Sequence, residues 1–115
     1  MARLATTHDV FNAIAEPARR QILDLLAAGE RAVGDIVDAL RMAQPQVSKH
    51  LRVLSEVRLV TVRQDGRRRL YSLSAEGLEP IHRWVSQFES HWDKQLQSIK
   101  AAAEARARQA QSTSK

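Results

Sequence analysis

Between Ala43 and Leu51 the chain reads AQPQVSKHL. Gln44, Gln46, Ser48, Lys49 and His50 crowd into about a turn and a half, and Arg52 follows. These groups suit reversible hydrogen bonding and ion pairing. A glutamine amide donates and accepts, a serine hydroxyl does either, and lysine and arginine donate while carrying charge. A second cluster, RQDGRRR, gathers Arg63, Arg67, Arg68 and Arg69 around Asp65-Gly66. Together they describe a surface for a polyanion with readable edges. Covalent chemistry is not written here: no Ser-His-Asp set, paired-carboxylate site or glycine-rich phosphate loop can be assembled, so neither an enzyme nor a cofactor is expected.

Helices and a hairpin must position these groups. A short helix runs from His8 to Ala15, with Val10, Phe11 and Ile14 on one side. Glu16-Pro17 restarts the chain, since proline is favoured at a first helical position. ARRQILDLLAA then spaces Ile22, Leu23 and Leu26 as a helix, with Gly29 as its stop. ERA is read as a connector. VGDIVDAL is a third helix by its apolar spacing. Arg41-Met42-Ala43 leaves room only for a tight turn. Beyond it Val47, Leu51 and Leu54 stack on one helical face, leaving Lys49, Arg52 and Glu56 opposite, flanked by Gln46 and Ser48.

Two helices joined by three residues make a helix-turn-helix. In that motif the second helix enters the DNA major groove and its first residues meet base edges. Gln can grip adenine at two points, and Lys suits guanine or a phosphate. Apolar and β-branched residues then flank Asp65-Gly66, a strong hairpin signal. The expected pairing sets Gln64 opposite Arg67 and Arg63 opposite Arg68, and the alternation of a strand turns Arg68 away from Arg67 and Arg69. A basic hairpin after a helix-turn-helix is a wing. The expected fold is therefore mainly α with a small β-hairpin, a winged helix-turn-helix.

The last helix opens near Ser74. Leu78, Ile81, Val85, Phe88, Trp92 and Ile99 form a heptad seam, with Gln95 on the skipped position. So long a seam exceeds what a small core needs, so part of it is expected to pair with a second subunit. From Ala101 onward there are alanines and no large apolar residue. Residues 1–100 are thus read as one DNA-binding and dimerisation domain, and 101–115 as a frayed helix end with a disordered tail.

Composition agrees. The 115 residues are 43% hydrophobic and only 4% aromatic, which suits one folded domain with an aliphatic core. The net charge is +5, and the segment from Arg31 to Leu73 accounts for all of it, with nine basic residues against four acidic ones. A local basic excess favours nucleic acid first and a membrane surface second. No apolar run is long enough to span a membrane. The start has no basic-then-apolar signal pattern, and a cytoplasmic protein is expected. The absence of cysteine excludes disulfides and thiolate metal sites.

With these pieces in place the chain resembles the bacterial ArsR/SmtB-type transcriptional repressors over roughly Val10 to Ile99. The resemblance is carried by FNAIAEPARRQILDLL, by VGDIVDAL with QPQVSKHLRVLSEVRLV, and by RQDGRRRLYSL. It implies a homodimer through the first and last helices, with Val10, Phe11, Ile14, Ile81, Val85, Phe88, Trp92 and Ile99 at the interface. It also implies repression from an operator, released by an effector; a two-fold dimer should read an inverted repeat, with the chain's own promoter as a candidate. Members that sense soft metals carry cysteines in the third helix; AVGDIVDAL has none. Members that sense zinc on the last helix use an Asp-x-His pair and a later His-x-x-His or His-x-x-Glu pair; here Pro80 precedes His82 and Lys94 follows His91. The chain therefore looks like the metal-free members, some of them autorepressors. Two other departures are Ala43 where a serine cap is usual and Val57-Arg58 where Ala-Gly is usual.

Competing readings stay open. His50 lies at the edge of the apolar face and suits either a phosphate or a structural hydrogen bond. His82 and His91, with Glu89 and Asp93, could hold a metal only across a dimer. Trp84, Phe88 and Trp92 could line an effector pocket instead of packing at an interface. The last helix could serve a protein-interaction module.

Overall fold

The computed structural model describes residues 9–113. The expected helix start at His8 and the final residues of the expected tail lie outside them. The chain divides into two compact units, one ending at Ile81 and one beginning at His82. The first holds α1 (Val10–Ile14), α2 (Pro17–Ala27), β1 (Arg31–Ala32), α3 (Val33–Leu40), α4 (Gln44–Glu56), β2 (Val60–Asp65), β3 (Arg68–Leu73) and the start of α5 (Ala75–Ser86). The rest of α5 and α6 (Glu89–Thr113) belong to the second.

Local chemistry sets these bounds. The Asp9 carboxylate accepts the Asn12 N–H at 2.7 Å and caps α1. Pro17 opens α2. Arg41, at φ 55°, ends α3 in the left-handed region. The apolar faces then close on one core of Ala13, Ile22, Leu26, Ile36, Val47, Leu51, Leu54, Leu59 and Val60.

Arg58 lies in the turn that ends α4. The Leu59 N–H donates to the Leu54 carbonyl at 2.9 Å and the Arg58 N–H to Ser55 at 3.1 Å. That is a Schellman closure, and its left-handed position is normally glycine. Arg58 holds it at φ 65°, a conformation that costs a side-chain-bearing residue about 1–2 kcal/mol. The turn is kept, and arginine carries the strain. Gly77 of α5 lies against this same turn, where an added Cβ would collide with the Arg58 carbonyl. Ser74 fixes the approach: its N–H donates to the Leu59 carbonyl at 2.9 Å and its hydroxyl accepts the Gly77 N–H at 3.4 Å.

Three details differ from the expectation. First, the connector ERA contains a strand. β1 pairs with β3 through Arg31 opposite Tyr71 and Ala32 opposite Leu70, making an antiparallel sheet in the order β1-β3-β2. Second, the hairpin register is shifted: Asp65 faces Arg68, Gln64 faces Arg69 and Arg63 faces Leu70. Gly66 takes the first loop position at φ 63° and Arg67 the second with negative φ, as in a II′ turn, where glycine is needed only first. Because the register moves by two residues, each side chain that remains on a strand keeps its expected face, while Arg67 passes into the turn. Third, the last helix is interrupted. The Ser86 hydroxyl donates to the His82 carbonyl at 2.7 Å, a back-bond that bends helices. The Phe88 N–H reaches only to Val85, at 3.0 Å, so the chain tightens before α6 begins. Within α5, Pro80 also withholds one backbone donor.

α6 is continuous helix through 101–113. AAAEARARQA consists of strong helix formers and contains neither glycine nor proline.

Candidate nucleic-acid interface

α3, the turn at Arg41-Met42-Ala43 and α4 form the helix-turn-helix. Ala43 is the N-cap of α4, at φ −66° and ψ 143°, and supplies no side-chain hydrogen bond. Val47, His50, Leu51 and Leu54 turn inward, while Gln44, Gln46, Ser48, Lys49 and Arg52 stand exposed. None of these five exposed side chains has a hydrogen-bond or ion-pair partner among the described residues.

The sheet brings part of the wing beside them. On one face of the hairpin, Val62, Arg69 and Tyr71 join Gln44, Ser48, Arg52, Ser55 and Val33 around a cleft of about 490 Å³. Gln44, Ser48 and Arg52 recur every four residues, so they form one helical edge toward the wing. Arg67 sits in the turn and Arg69 on the cleft face, both without an ion-pair partner among the described residues.

Arg63 and Arg68 lie on the opposite face and are engaged. Arg63 donates from Nε and Nη2 to both carboxylate oxygens of Glu30, at 2.8 Å each. The Ser72 hydroxyl donates to the same carboxylate at 3.1 Å. These bonds, the Arg63 pair foremost, hold the Glu30 carboxyl below the usual carboxylate range, and Glu30 in turn raises Arg63. Arg68 donates to Asp35 at 3.1 Å. Asp35 also accepts the Ala32 N–H at 3.3 Å, at the start of α3. Strand alternation already set Arg68 apart from Arg67 and Arg69; the structure adds that Arg63 and Arg68, on that other face, are each paired with an acid. The partners Glu30 and Asp35 were missed, because each lies 33 residues from its arginine and nothing local marks the pairing.

His50 belongs with the core. It is 8% exposed, and its Nδ1 accepts from Arg19 Nε at 3.3 Å. Burial, and then the Arg19 charge, push its pKa below the ordinary value. Of its two readings the placement favours the structural hydrogen bond, and the phosphate reading loses its support. Arg19 also donates to the Ala13 carbonyl at 3.3 Å, so it joins α1, α2 and α4. His82 and His91 fall in different helices, and among the described residues no three His, Asp or Glu side chains gather as a ligand set. No helix among the described residues is long and apolar enough to cross a membrane.

A family model described as "Bacterial regulatory protein, arsR family" matches residues 16–62, from the N-cap of α2 into β2. The transcriptional repressor SdpR of Bacillus subtilis is 34% identical over 89 residues, covering 77% of this chain and 99% of its own. This chain belongs to the ArsR family. Among solved structures, the homodimeric winged helix-turn-helix DNA-binding domain of a possible ArsR-family regulator from Mycobacterium bovis superposes with a TM-score of 0.61. It is 36% identical, covering 77% of this chain and 82% of that one. A crystal structure described as a possible transcriptional regulator for arsenical resistance gives a TM-score of 0.59 at 38% identity, with 78% and 91% covered. Like the rest of the ArsR family, the protein is a DNA-binding transcriptional regulator built on a winged helix-turn-helix, and not an enzyme.

Proposed function

We propose that this ArsR-family protein is a homodimeric repressor that binds an inverted-repeat operator, with its own promoter as the first candidate. The observation that carries the reading is the contrast between engaged and free side chains. Arg19, Arg20, Arg31, Arg63 and Arg68 all have partners within the fold. Gln44, Gln46, Ser48, Lys49, Arg52, Arg67 and Arg69 have none among the described residues, and they border α4 and the wing. Unmade hydrogen bonds on an exposed helix edge are what base edges and phosphates can complete. Gln44, Gln46 and Ser48 are assigned to bases, and Lys49, Arg52, Arg67 and Arg69 chiefly to phosphates.

The dimer is assigned to α1 and to α5 with α6, through Val10, Phe11, Ile14, Ile81, Val85, Phe88, Trp92 and Ile99. Phe11 is an exposed aromatic on α1. The second unit alone exposes Val85, Phe88, Trp92, Leu96 and Ile99, more apolar surface than a short helical segment ordinarily leaves to water. The relatives lend direction: SdpR is named a repressor, and the Mycobacterium bovis domain is described as homodimeric. A two-fold protein reads a two-fold site.

Footprinting on the DNA upstream of the chain's own reading frame tests this. Protection of two half-sites related by a dyad is expected; no protection, or protection of a single asymmetric block, contradicts it. On that operator Gln46→Ala should relax preference at one base pair per half-site by about 1–3 kcal/mol. An unchanged preference removes Gln46 from the reading set.

A further inference from the structure

We infer that Glu30 and Asp35 are positioning residues for the DNA-binding wing, and that Arg63 and Arg68 act as their anchors rather than as DNA contacts. The inference rests on the DNA-binding reading above and concerns how that surface is held.

A two-stranded hairpin is marginally stable alone. β1 supports β3 only at Leu70 and Tyr71, so the outer hairpin extends past the third strand. Side chains of the segment that opens α3 add support, Glu30 at the level of β1 and Asp35 beyond it. Arg63 stands on β2, the far strand of the sheet, and reaches across β3 to Glu30. The interaction is a two-point fork, which fixes direction as well as distance. Ser72 of β3 binds the same carboxylate, so Glu30 grips both strands. Asp35 holds Arg68, the residue next to the turn. Its other bond, to the Ala32 N–H, ties that pair to the first turn of the helix-turn-helix. The two clamps therefore engage the hairpin at two heights on one face. The opposite face keeps Arg69 beside Gln44, Ser48 and Arg52.

Exposed ion pairs add little to folding stability, so a stabilising role is a weak account of this geometry. Their value lies in ordering the wing before DNA arrives, which spares that ordering during binding. This sets the clamp against simple electrostatics. If only the field mattered, neutralising an acid near a DNA-binding surface would tighten binding. If the clamp matters, the same change weakens binding.

The test measures binding across a salt series to two duplexes, the chain's own upstream DNA and a mixed sequence of equal length. Glu30→Gln and Asp35→Asn are compared with the unaltered protein and with the exchanged pair Glu30→Arg with Arg63→Glu. The two neutralising variants should bind more weakly despite the added positive charge. Their salt slope should fall by about 0.9 for each phosphate that the wing no longer neutralises, with an unchanged melting temperature. The exchanged pair, which restores opposite charges at the same net charge, should recover most of the affinity and slope. Tighter binding with a steeper slope in Glu30→Gln, or affinity and slope equal to those of the unaltered protein, overturns the clamp while leaving the DNA-binding reading intact. No binding of the unaltered protein to either duplex overturns that reading, and the clamp with it.

Discussion

His50 shows how much a single side chain depends on its neighbours. Sequence position put it between core and groove. Burial on α4 and the hydrogen bond from Arg19 give it a neutral, accepting role. Protonation would remove the Nδ1 lone pair that Arg19 uses and would place two cations together. The pKa in the folded protein lies below the ordinary 6.5, so the unfolded chain takes up the proton first as pH falls. The contribution of neutral His50 is therefore complete above pH 6.5 and is lost as pH falls below it. Urea midpoints at about pH 7.5 and about pH 5.5 should differ more for the unaltered protein than for His50→Gln. Equal differences would mean that His50 does not carry the acid sensitivity.

Elements were legible where their signals are local. Apolar spacing located the helices that flank the helix-turn-helix turn, and Asp65-Gly66 located the hairpin. What escaped depends on distant partners. β1 is only two residues long and becomes a strand only because β3 lies beside it. The loop could close on Asp65-Gly66 or on Gly66-Arg67, and pairing along the whole sheet selects the second. A heptad seam continues through Ser86 to Phe88, so hydrophobic spacing carries no sign of the break; the serine back-bond does. In the candidate interface, the exposed edge of α4 was readable from its amphipathic pattern. The faces of the wing arginines were readable from strand alternation, but the partners of Arg63 and Arg68 were not, because those acids lie outside the hairpin. The missing cap was readable, and α4 begins on Ala43 without a side-chain bond. Ala43→Ser fits the observed backbone and should stabilise the protein by about 1 kcal/mol in chemical denaturation. No gain would mean that the first turn of α4 is already satisfied by other groups.

At the scale of the molecule, charge and apolar surface are assigned to different tasks. Of the nine basic residues between Arg31 and Leu73, Arg31, Arg63 and Arg68 are held by acceptors within the fold. The other six, among them Lys49, Arg52, Arg67 and Arg69, have no such partner among the described residues. The apolar residues left to solvent concentrate instead on the last helices. Trp92 is 61% exposed, so a glutamate there costs a single protomer little while setting charge into the proposed dimer seam. Trp92→Glu should give folded monomers by light scattering; a dimer that persists would move the interface elsewhere. The central claim, that α4 and the tip of the wing form the DNA-binding surface, is tested most directly by the salt dependence of binding. With Arg67 and Arg69 both changed to Ala, the slope of log affinity against log salt should flatten by about 0.9 for every phosphate left without its arginine. A slope equal to that of the unaltered protein would contradict it.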